Sequence, residues 1–203
     1  MGLRISLFLF AVLFLFESCS TPANTTFEFQ EGDIILQALN SPQCDAIRLA
    51  TDNYYSHCGM VVNDGKKLMI YEAIGPVKKT EIQEFTASGI NGHYVVMRLK
   101  DSTVDHQSIL NYCDGELGKA YDIYFNWDDT EIYCSEFVWK AYEASQIELC
   151  NTRPLKDYDL SSPLVQTILQ ERYAPKIPYG EPMVAPSDLY SSGLLEIVYQ
   201  NKK

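Results

Sequence analysis

Positive charge is scarce in this sequence. Its 203 residues include 16 lysines and arginines against 27 aspartates and glutamates, which gives a formal net charge of -11. A chain with this balance does not attract nucleic acid or other anionic polymers through general electrostatics. We therefore expect no nucleic-acid partner, and any anionic ligand would need a local basic patch.

Motifs of several well-known enzyme classes are absent. The sequence has no G-x-S-x-G nucleophile elbow, no phosphate-binding P-loop and no H-E-x-x-H motif. Its six cysteines form no C-x-x-C pair, which argues against a zinc site. Nothing therefore supports a serine hydrolase, a nucleotide-binding enzyme or a zinc protease, and we predict neither a metal nor a cofactor.

Internal repeats and low-complexity segments are also missing after residue 27. The length, together with a hydrophobic content of 46%, fits one globular domain. We assign this domain to residues 31–203 and a short linker to residues 19–30.

The N-terminal apolar run is too short for a membrane span. It follows Arg4 and covers residues 5–16, whereas a membrane-spanning helix needs about 20 residues. A basic residue, a short apolar core and small polar residues after it are typical of a signal peptide. Residues 1–18 therefore predict export to the bacterial periplasm or cell envelope, with an uncleaved anchor or a buried helix as the alternatives.

Cys19 closes this region and follows the small residue Ser18. A small residue directly before a cysteine resembles a lipoprotein processing site, which predicts lipidation of Cys19 and a membrane anchor there. Phe16 and Glu17 match the usual pattern poorly, so simple secretion is the alternative. No second membrane-binding signal is visible.

The remaining cysteines are odd in number. They are Cys44, Cys58, Cys113, Cys134 and Cys150. In an oxidising compartment, one free thiol is expected if the others pair. The spacing assigns no disulfide, and small buried apolar residues are the simple interpretation of Cys58 and Cys113.

Hydrophobic periodicity and turn residues predict an α+β fold with its strands grouped centrally. The predicted strands are residues 34–36, 56–62, 67–73, 94–99 and 194–199. Helices are predicted at residues 42–50, 104–117 and 163–173, with another starting at residue 134.

A hairpin between the second and third strands predicts a side-chain pair. Asp64 and Gly65 are a strong signal for a type I′ turn. If they occupy its central positions, His57 lies directly opposite Glu72, with Cβ atoms about 4.5 to 5.5 Å apart. The pattern thus predicts an imidazole bound to a carboxylate, with an exposed ion pair as the alternative. Gly59, next but one to His57, predicts room for an approaching group.

Cys134 lies where a polar loop gives way to apolar residues at helical spacing, in the string YCSEFVW. A thiol at a helix N-terminus has a lowered pKa because the partial positive charge there stabilises the thiolate. Cys134 is therefore a candidate nucleophile, and the predicted pair of His57 and Glu72 would supply a base and a group that orients it.

Several strings resemble one known family. They are GDIILQ, YSHCGM, YEAIGPV, YVVMRL, GKAYDIYF and IYCSEFVWK. Together they resemble the YiiX/YebB-like cysteine hydrolases, a circularly permuted branch of the NlpC/P60 papain-like superfamily. The resemblance implies a central antiparallel sheet packed against helices. It also places the nucleophile at Cys134, the base at His57 and the acidic partner at Glu72.

The resemblance further implies an acyl-enzyme mechanism. Amide bonds of cell-envelope peptides are the first substrate choice, a lipid acyl group is the second, and a binding module without activity is a third possibility. Tyr55 lies on the strand face of His57 and resembles an aromatic residue that recurs in the family. It is a candidate oxyanion donor or substrate contact, with ordinary packing as the alternative.

Overall fold

One antiparallel sheet organises the part of the chain that the computed structural model describes, residues 27–100 and 103–201. Its strands are β1 (Ile34–Gln37), β2 (His57–Asn63), β3 (Leu68–Ala73), β4 (Val77–Thr80), β5 (Tyr94–Leu99) and β8 (Leu195–Gln200), and a separate short pair is formed by β6 (Arg153–Pro154) and β7 (Pro182–Met183). The order in the large sheet is β4-β3-β2-β1-β5-β8, with every neighbouring pair antiparallel. Cys19 and the predicted signal peptide lie outside the described residues.

Six helices surround these strands in the described part of the chain. They are α1 (Pro42–Thr51), α2 (Ile82–Ser88), α3 (His106–Gly115), α4 (Cys134–Glu143), α5 (Pro163–Tyr173) and α6 (Pro186–Tyr190). The sheet and its helices confirm the predicted α+β class. Within the described residues, no helix is both long and apolar enough to cross a membrane.

The start of α1 follows from its first residues. Ser41 is its N-cap, and the Ser41 hydroxyl accepts a hydrogen bond of 3.1 Å from the backbone N–H of Cys44. Pro42 occupies the first turn, where its missing N–H costs nothing. The predicted start of this helix is therefore confirmed.

Two apolar layers cover the two faces of the sheet. One contains side chains of β1 and β2 such as Ile34 and Met60, packed with Phe137 of α4. The other contains Ile35 and Val61 from the same strands. Because successive strand residues point to opposite faces, each strand contributes to both layers. Burial of each large apolar side chain contributes about 1.5 to 3 kcal/mol.

A third cluster lies away from the sheet, between α1 and α5. It includes Ala46 from α1, Val165 and Leu169 from α5, and Met183 from β7. This cluster packs the C-terminal segments against α1, and part of it lies beside Cys134.

The β2–β3 hairpin differs from the predicted register by two residues. Met60 pairs with Tyr71 and Asn63 pairs with Leu68, so the numbers of opposed residues sum to 131 rather than 129. The predicted direct opposition of His57 and Glu72 is therefore wrong. Because two residues are one full side-chain period, both side chains nevertheless stay on the predicted face.

Side-chain hydrogen bonds in the turn explain the different register. The Asp64 carboxylate accepts from the backbone N–H groups of Lys66 and Lys67, at 3.0 and 3.1 Å. The Asn63 side chain accepts from Gly65 N–H at 3.0 Å, and Gly65 has a φ of 86°. These bonds stabilise a four-residue loop at residues 64–67 in place of the predicted tight turn.

The structure also contains elements that were not predicted. β4 and α2 follow β3 directly, in a segment that the sequence pattern left unassigned. β4 forms the edge of the sheet beside β3, and α2 packs against the same strand. β4 proves to be important because it supplies contacts to Glu72.

Candidate active site

His57 and Glu72 form a buried hydrogen-bonded pair. His57 Nε2 lies 2.7 Å from Glu72 Oε2, and each residue is only 3% exposed. The observed register, extended by one pair, places Glu72 opposite Gly59, so the contact with His57 is diagonal. A diagonal pair on one sheet face is still within reach of two long side chains. The predicted pair thus forms, although by another geometry.

Strand β4 holds the other oxygen of this carboxylate. Thr80 Oγ1 donates a hydrogen bond of 2.6 Å to Glu72 Oε1, and Lys78 Nζ lies 3.6 Å from the same atom. Burial raises the pKa of Glu72, but the hydrogen bond and charge of His57, the Thr80 hydroxyl and the Lys78 charge outweigh it and lower the pKa. Glu72 is therefore held as a carboxylate.

Cys134 is the first residue of α4, as predicted, and it is 3% exposed. Two contacts fix this helix start. The Glu136 carboxylate accepts a hydrogen bond of 3.3 Å from the backbone N–H of Tyr133, and the Tyr133 hydroxyl accepts one of 3.2 Å from Val184 N–H. A rigid helix start keeps the thiol in the positive end of the helix dipole.

The thiol of Cys134 and the imidazole of His57 interact directly. For Cys134, a hydrogen bond from Cys58 is the largest influence and lowers the pKa; burial opposes it, and the hydrogen bond and charge of His57 lower it further, to well below its ordinary value. Burial alone would lower the pKa of His57, but Cys134 and Glu72 raise it to about 10. The site therefore favours a thiolate beside an imidazolium.

The orientation of the imidazole follows from these contacts. Nε2 of His57 is bound to Glu72, so Nδ1 is the ring nitrogen left for Cys134. Phe85 of α2 packs on the ring, with centroids 5.6 Å apart. A Cβ atom at Gly59 would lie 2.5 Å from Ile70 Cγ2 and 2.9 Å from Phe85 Cε2. The prediction that Gly59 leaves room for an approaching group is wrong, because side chains already fill that space.

Cys58 has a more specific place than a small apolar residue. It is fully buried next to His57 in β2, and both its side chain and its backbone form hydrogen bonds with Cys134. Burial, followed by the interactions with Cys134, raises the pKa of Cys58 well above its ordinary value. Cys58 therefore stays a thiol that donates to the Cys134 sulfur. No sequence pattern indicates this role.

The other described cysteines form no disulfides. Within the described residues, all five cysteines are free, and they are Cys44, Cys58, Cys113, Cys134 and Cys150. The sequence assigned no disulfide, and the condition for a single free thiol, pairing of the other four, is not fulfilled among these cysteines.

A small cavity lies beside the thiol. Its volume is about 50 Å³, and its wall includes Tyr121, Tyr133, Cys134 and Ala185. The Tyr121 hydroxyl accepts a hydrogen bond of 3.1 Å from Gln43 Nε2. Burial, followed by the Cys134 charge, raises the pKa of Tyr121 well above its ordinary value, so this hydroxyl keeps its proton next to the thiolate.

Tyr55 does not line this cavity. Its hydroxyl accepts a hydrogen bond of 3.2 Å from Gln200 Nε2, and its ring packs against Tyr54, His93 and Tyr190. The structure therefore brings together Cys134, His57 and Glu72, while Tyr55 lies in a separate aromatic group.

The histidine on the sheet precedes the cysteine on the helix in the chain, and the two meet at the start of β2. This order and this site define a permuted papain-like enzyme of the cysteine amidase or peptidase type. The chain belongs to the C92 family, described as permuted papain-like amidase enzymes of the YaeF/YiiX type, and the family model matches residues 28–199.

Two Escherichia coli proteins illustrate the relationship. The uncharacterized protein YiiX of strain K12 is 43% identical over 172 residues, which cover 83% of this chain and 85% of that protein. The crystal structure of metalloprotein YiiX from strain O157:H7 is 42% identical, with a TM-score of 0.81 over 85% of this chain and 97% of that chain. In residues 27–100 and 103–201 of the present chain, no group of three or more His, Cys, Asp or Glu side chains is placed to hold a metal. These residues do not fit such an ion.

Proposed function

We propose that this protein hydrolyses amide bonds with Cys134 as nucleophile, His57 as acid and base, and Glu72 as the group that orients His57. One observation carries the proposal. Three buried side chains interact one after another, Cys134 with His57 and His57 with Glu72, and these interactions favour a thiolate, an imidazolium and a carboxylate. A charged nucleophile prepared in this way is what acyl transfer to sulfur needs. A binding module without activity would have no use for it.

The reaction takes place in two halves. The Cys134 thiolate attacks the carbonyl carbon of the substrate and forms a tetrahedral intermediate. When this collapses, the C–N bond breaks, His57 Nδ1 gives its proton to the leaving amine, and a thioester remains on Cys134. Water then attacks the thioester as His57 takes one of its protons, and the carboxylic acid leaves while the thiolate and imidazolium are restored.

The oxyanion needs donors placed beside the thiol. The backbone N–H of Cys134 lies at the start of α4 and is one such donor. We assign the second to the Tyr121 hydroxyl, which lines the same cavity as Cys134 and is held by Gln43. This replaces Tyr55 as the candidate donor, because Tyr55 does not line the cavity beside Cys134.

The setting that we propose is the cell envelope, on the basis of the signal-peptide pattern at residues 1–18 and of Cys19 as a lipidation site. Amides of cell-envelope peptides are one substrate class for an exported amidase. A lipid acyl group is the second, and a specific observation favours it: an apolar cavity between α1 and α5 shares the wall residues Ile47, Phe125, Met183 and Ala185 with the one beside Cys134.

Covalent labelling tests the proposed mechanism. Wild-type protein should react with a thiol-directed acyl probe at Cys134, as located by peptide mass spectrometry. Cys134→Ala should abolish labelling at this position and His57→Ala should slow it strongly, since the thiolate is lost. Cys150→Ala removes a half-buried cysteine outside the site and is the matched control. Undiminished labelling and hydrolysis in Cys134→Ala would overturn the proposal.

A further inference from the structure

Gln37 is a polar residue in an apolar layer. It is the last residue of β1, it is 0% exposed, and it lies on the same sheet face as Ile35. Its Nε2 donates a hydrogen bond of 2.9 Å to Ser88 Oγ, but its Oε1 has no hydrogen-bond partner among the residues that the structure describes. A buried amide with one end unpaired costs free energy. An apolar side chain would avoid this cost, so the amide points to a role other than stability.

Gln37 lies directly opposite His57. The two residues are partners in the antiparallel ladder between β1 and β2. Directly opposed side chains share a sheet face, with Cβ atoms about 4.5 to 5.5 Å apart. The Gln37 side chain therefore starts beside the imidazole on the β1 side, while Glu72 binds the imidazole from the β3 side.

The hydrogen bond from Gln37 fixes the end of α2. Ser88 is the last residue of this helix, and its hydroxyl donates a hydrogen bond of 2.8 Å to the backbone oxygen of Phe85. The helix has only seven residues, and its N-cap Glu81 makes no side-chain capping bond. Because so short a helix has little stability of its own, its position depends on contacts with the rest of the fold.

Gly89 allows α2 to approach β1 closely. A Cβ atom at Gly89 would lie only 2.9 Å from Gln37 Oε1. The backbone after α2 is also bound to the end of β1, since Ile90 N–H donates a hydrogen bond of 2.8 Å to Ala38 O. The C-terminal end of α2 is thus held directly against the end of β1.

Phe85 connects the placement of α2 to the imidazole. Its side chain is 1% exposed, and its ring packs on the His57 ring with centroids 5.6 Å apart and planes inclined by 34°. Glu72 binds the imidazole at Nε2, and one hydrogen bond leaves a ring free to tilt about the bonded atom. A second ring packed on its face removes this freedom and keeps Nδ1 directed at Cys134.

We propose that Gln37 is a positioning residue for His57. Its hydrogen bond to Ser88 holds α2, and Phe85 on that helix fixes the tilt of the imidazole. The inference rests on the proposed function, because this tilt matters only if His57 exchanges a proton with Cys134.

Gln37→Met tests the inference, because it removes the hydrogen bond and keeps a side chain of similar volume. It should lower kcat about tenfold on an acyl aminomethylcoumarin amide, with little change in KM, since the proton transfer is misaligned. The melting temperature should stay the same or rise, because the unpaired amide is lost. A residue with only a structural role would give the reverse, a lower melting temperature with kcat intact, and this result would overturn the inference.

The pH dependence of Cys134 alkylation measures the orientation of the imidazole. The charged groups that act on His57 are those of Cys134 on α4 and Glu72 on β3, whereas Gln37 and Phe85 are uncharged. In Gln37→Met the acidic limb of iodoacetamide labelling should move to higher pH, because a misaligned imidazolium stabilises the thiolate less. Entry of water alone would have the opposite effect, since burial raises the pKa of Cys134. A limb that moves to lower pH, or not at all, would overturn the inference.

Ser88 supplies an independent test at an exposed position. Ser88→Ala removes the acceptor on α2 and should lower kcat and move the acidic limb as Gln37→Met does, whereas Ser88→Thr keeps the hydroxyl and should behave as wild type. The double variant Gln37→Met with Ser88→Ala should be no worse than either single variant, and additive losses would overturn the inference. Thr86→Val, at a hydroxyl that bonds to Ile82 O within α2, is the matched control and should change neither measurement.

Failure of the proposed function would look different. Hydrolysis of the amide would then persist in Cys134→Ala. The acidic limb of Cys134 alkylation needs no substrate, so it reports on the positioning of His57 in either case. A limb that moves to higher pH in Gln37→Met, together with loss of hydrolysis in Cys134→Ala, supports both proposals.

Discussion

Thr80 donates a 2.6 Å hydrogen bond to Oε1 of Glu72, whose other oxygen lies 2.7 Å from the imidazole of His57. The chain from β4 to the thiol therefore runs Thr80, Glu72, His57, Cys134. Thr80 is 4% exposed, so its hydroxyl bonds this carboxylate in a site from which water is largely excluded. Hydrogen bonds to a charged acceptor are worth about 1.5 to 3 kcal/mol in such surroundings.

Thr80→Val should reduce kcat/KM about tenfold, because Glu72 would lose one of the contacts that set its orientation. Thr80→Ser keeps the hydroxyl and should retain most of the activity. The measurement is steady-state hydrolysis of an acyl aminomethylcoumarin amide, with circular dichroism to confirm the fold. Equal activity in the valine and serine variants would contradict a positioning role for Thr80.

Glu72→Gln should lower kcat about a hundredfold or more, since a neutral amide neither stabilises the imidazolium nor fixes its orientation equally well. The Glu72 charge helps to raise the pKa of His57 to about 10. Its loss should therefore move the alkaline limb of the pH–rate profile to lower pH. Glu84→Gln, on the exposed side of α2, is the matched control and should leave the profile in place. An unshifted alkaline limb in Glu72→Gln would argue against this coupling.

Cys58→Ala should raise the pKa of Cys134, because the hydrogen bond from Cys58 is the largest of the influences that lower it. The acidic limb of Cys134 alkylation should then move to higher pH, since less thiolate is present at a given pH. Iodoacetamide labelling, followed by mass spectrometry of the Cys134 peptide, measures this. Cys58→Ser restores a donor and should move the limb back. If the acidic limb moved to higher pH by the same amount in both variants, altered packing and not the lost hydrogen bond would be the cause.

Tyr121→Phe should lower kcat about 10- to 100-fold with little change in KM, as expected for a donor that acts on the oxyanion in the transition state. Gln43→Leu removes the side chain that donates to the Tyr121 hydroxyl and should have a smaller effect of the same kind. Burst kinetics with an activated ester would separate acylation from deacylation. A rise in KM without loss of kcat would assign Tyr121 to ground-state binding.

Asp33→Ala should lower the free energy of unfolding by about 2 to 3 kcal/mol, which corresponds to roughly 5 to 10 °C in melting temperature. Asp33 is fully buried and accepts from Arg98 Nε at 2.6 Å and from a second guanidinium nitrogen at 2.9 Å. Thermal unfolding followed by circular dichroism measures the effect. Lys67→Gln breaks an exposed ion pair and should change the melting temperature only slightly. Similar shifts in the two variants would contradict this assignment.

The candidate site was predictable where local pattern decides the outcome. A polar loop followed by apolar residues at helical spacing is sufficient to place Cys134 at the start of α4. His57 and Glu72 share a sheet face whenever the register error is an even number of residues. The error of two residues therefore left this prediction correct. The exact register depended on hydrogen bonds from Asn63 and Asp64 that compete with a tight turn.

The contacts that complete the site were not predictable, because they join segments distant in the chain. Thr80 acts through β4, whose four residues give little periodic signal. Cys58 differs from the other buried cysteines only in its contact with Cys134. Gln43 reaches Tyr121 across 78 positions. Such contacts are set by the packing of α1 and α4 against the rest of the fold.

Consecutive residues of β2, His57 and Cys58, both form hydrogen bonds with the sulfur of Cys134. Neighbouring strand positions are held at a fixed spacing by the backbone and by the ladder to β1. The imidazole and the thiol donor therefore cannot be displaced independently. An insertion or deletion that shifts β2 by one residue at His57 and Cys58 would turn both side chains to the opposite faces of the sheet and remove both influences together. The charge state of Cys134 therefore depends on the register of one short strand.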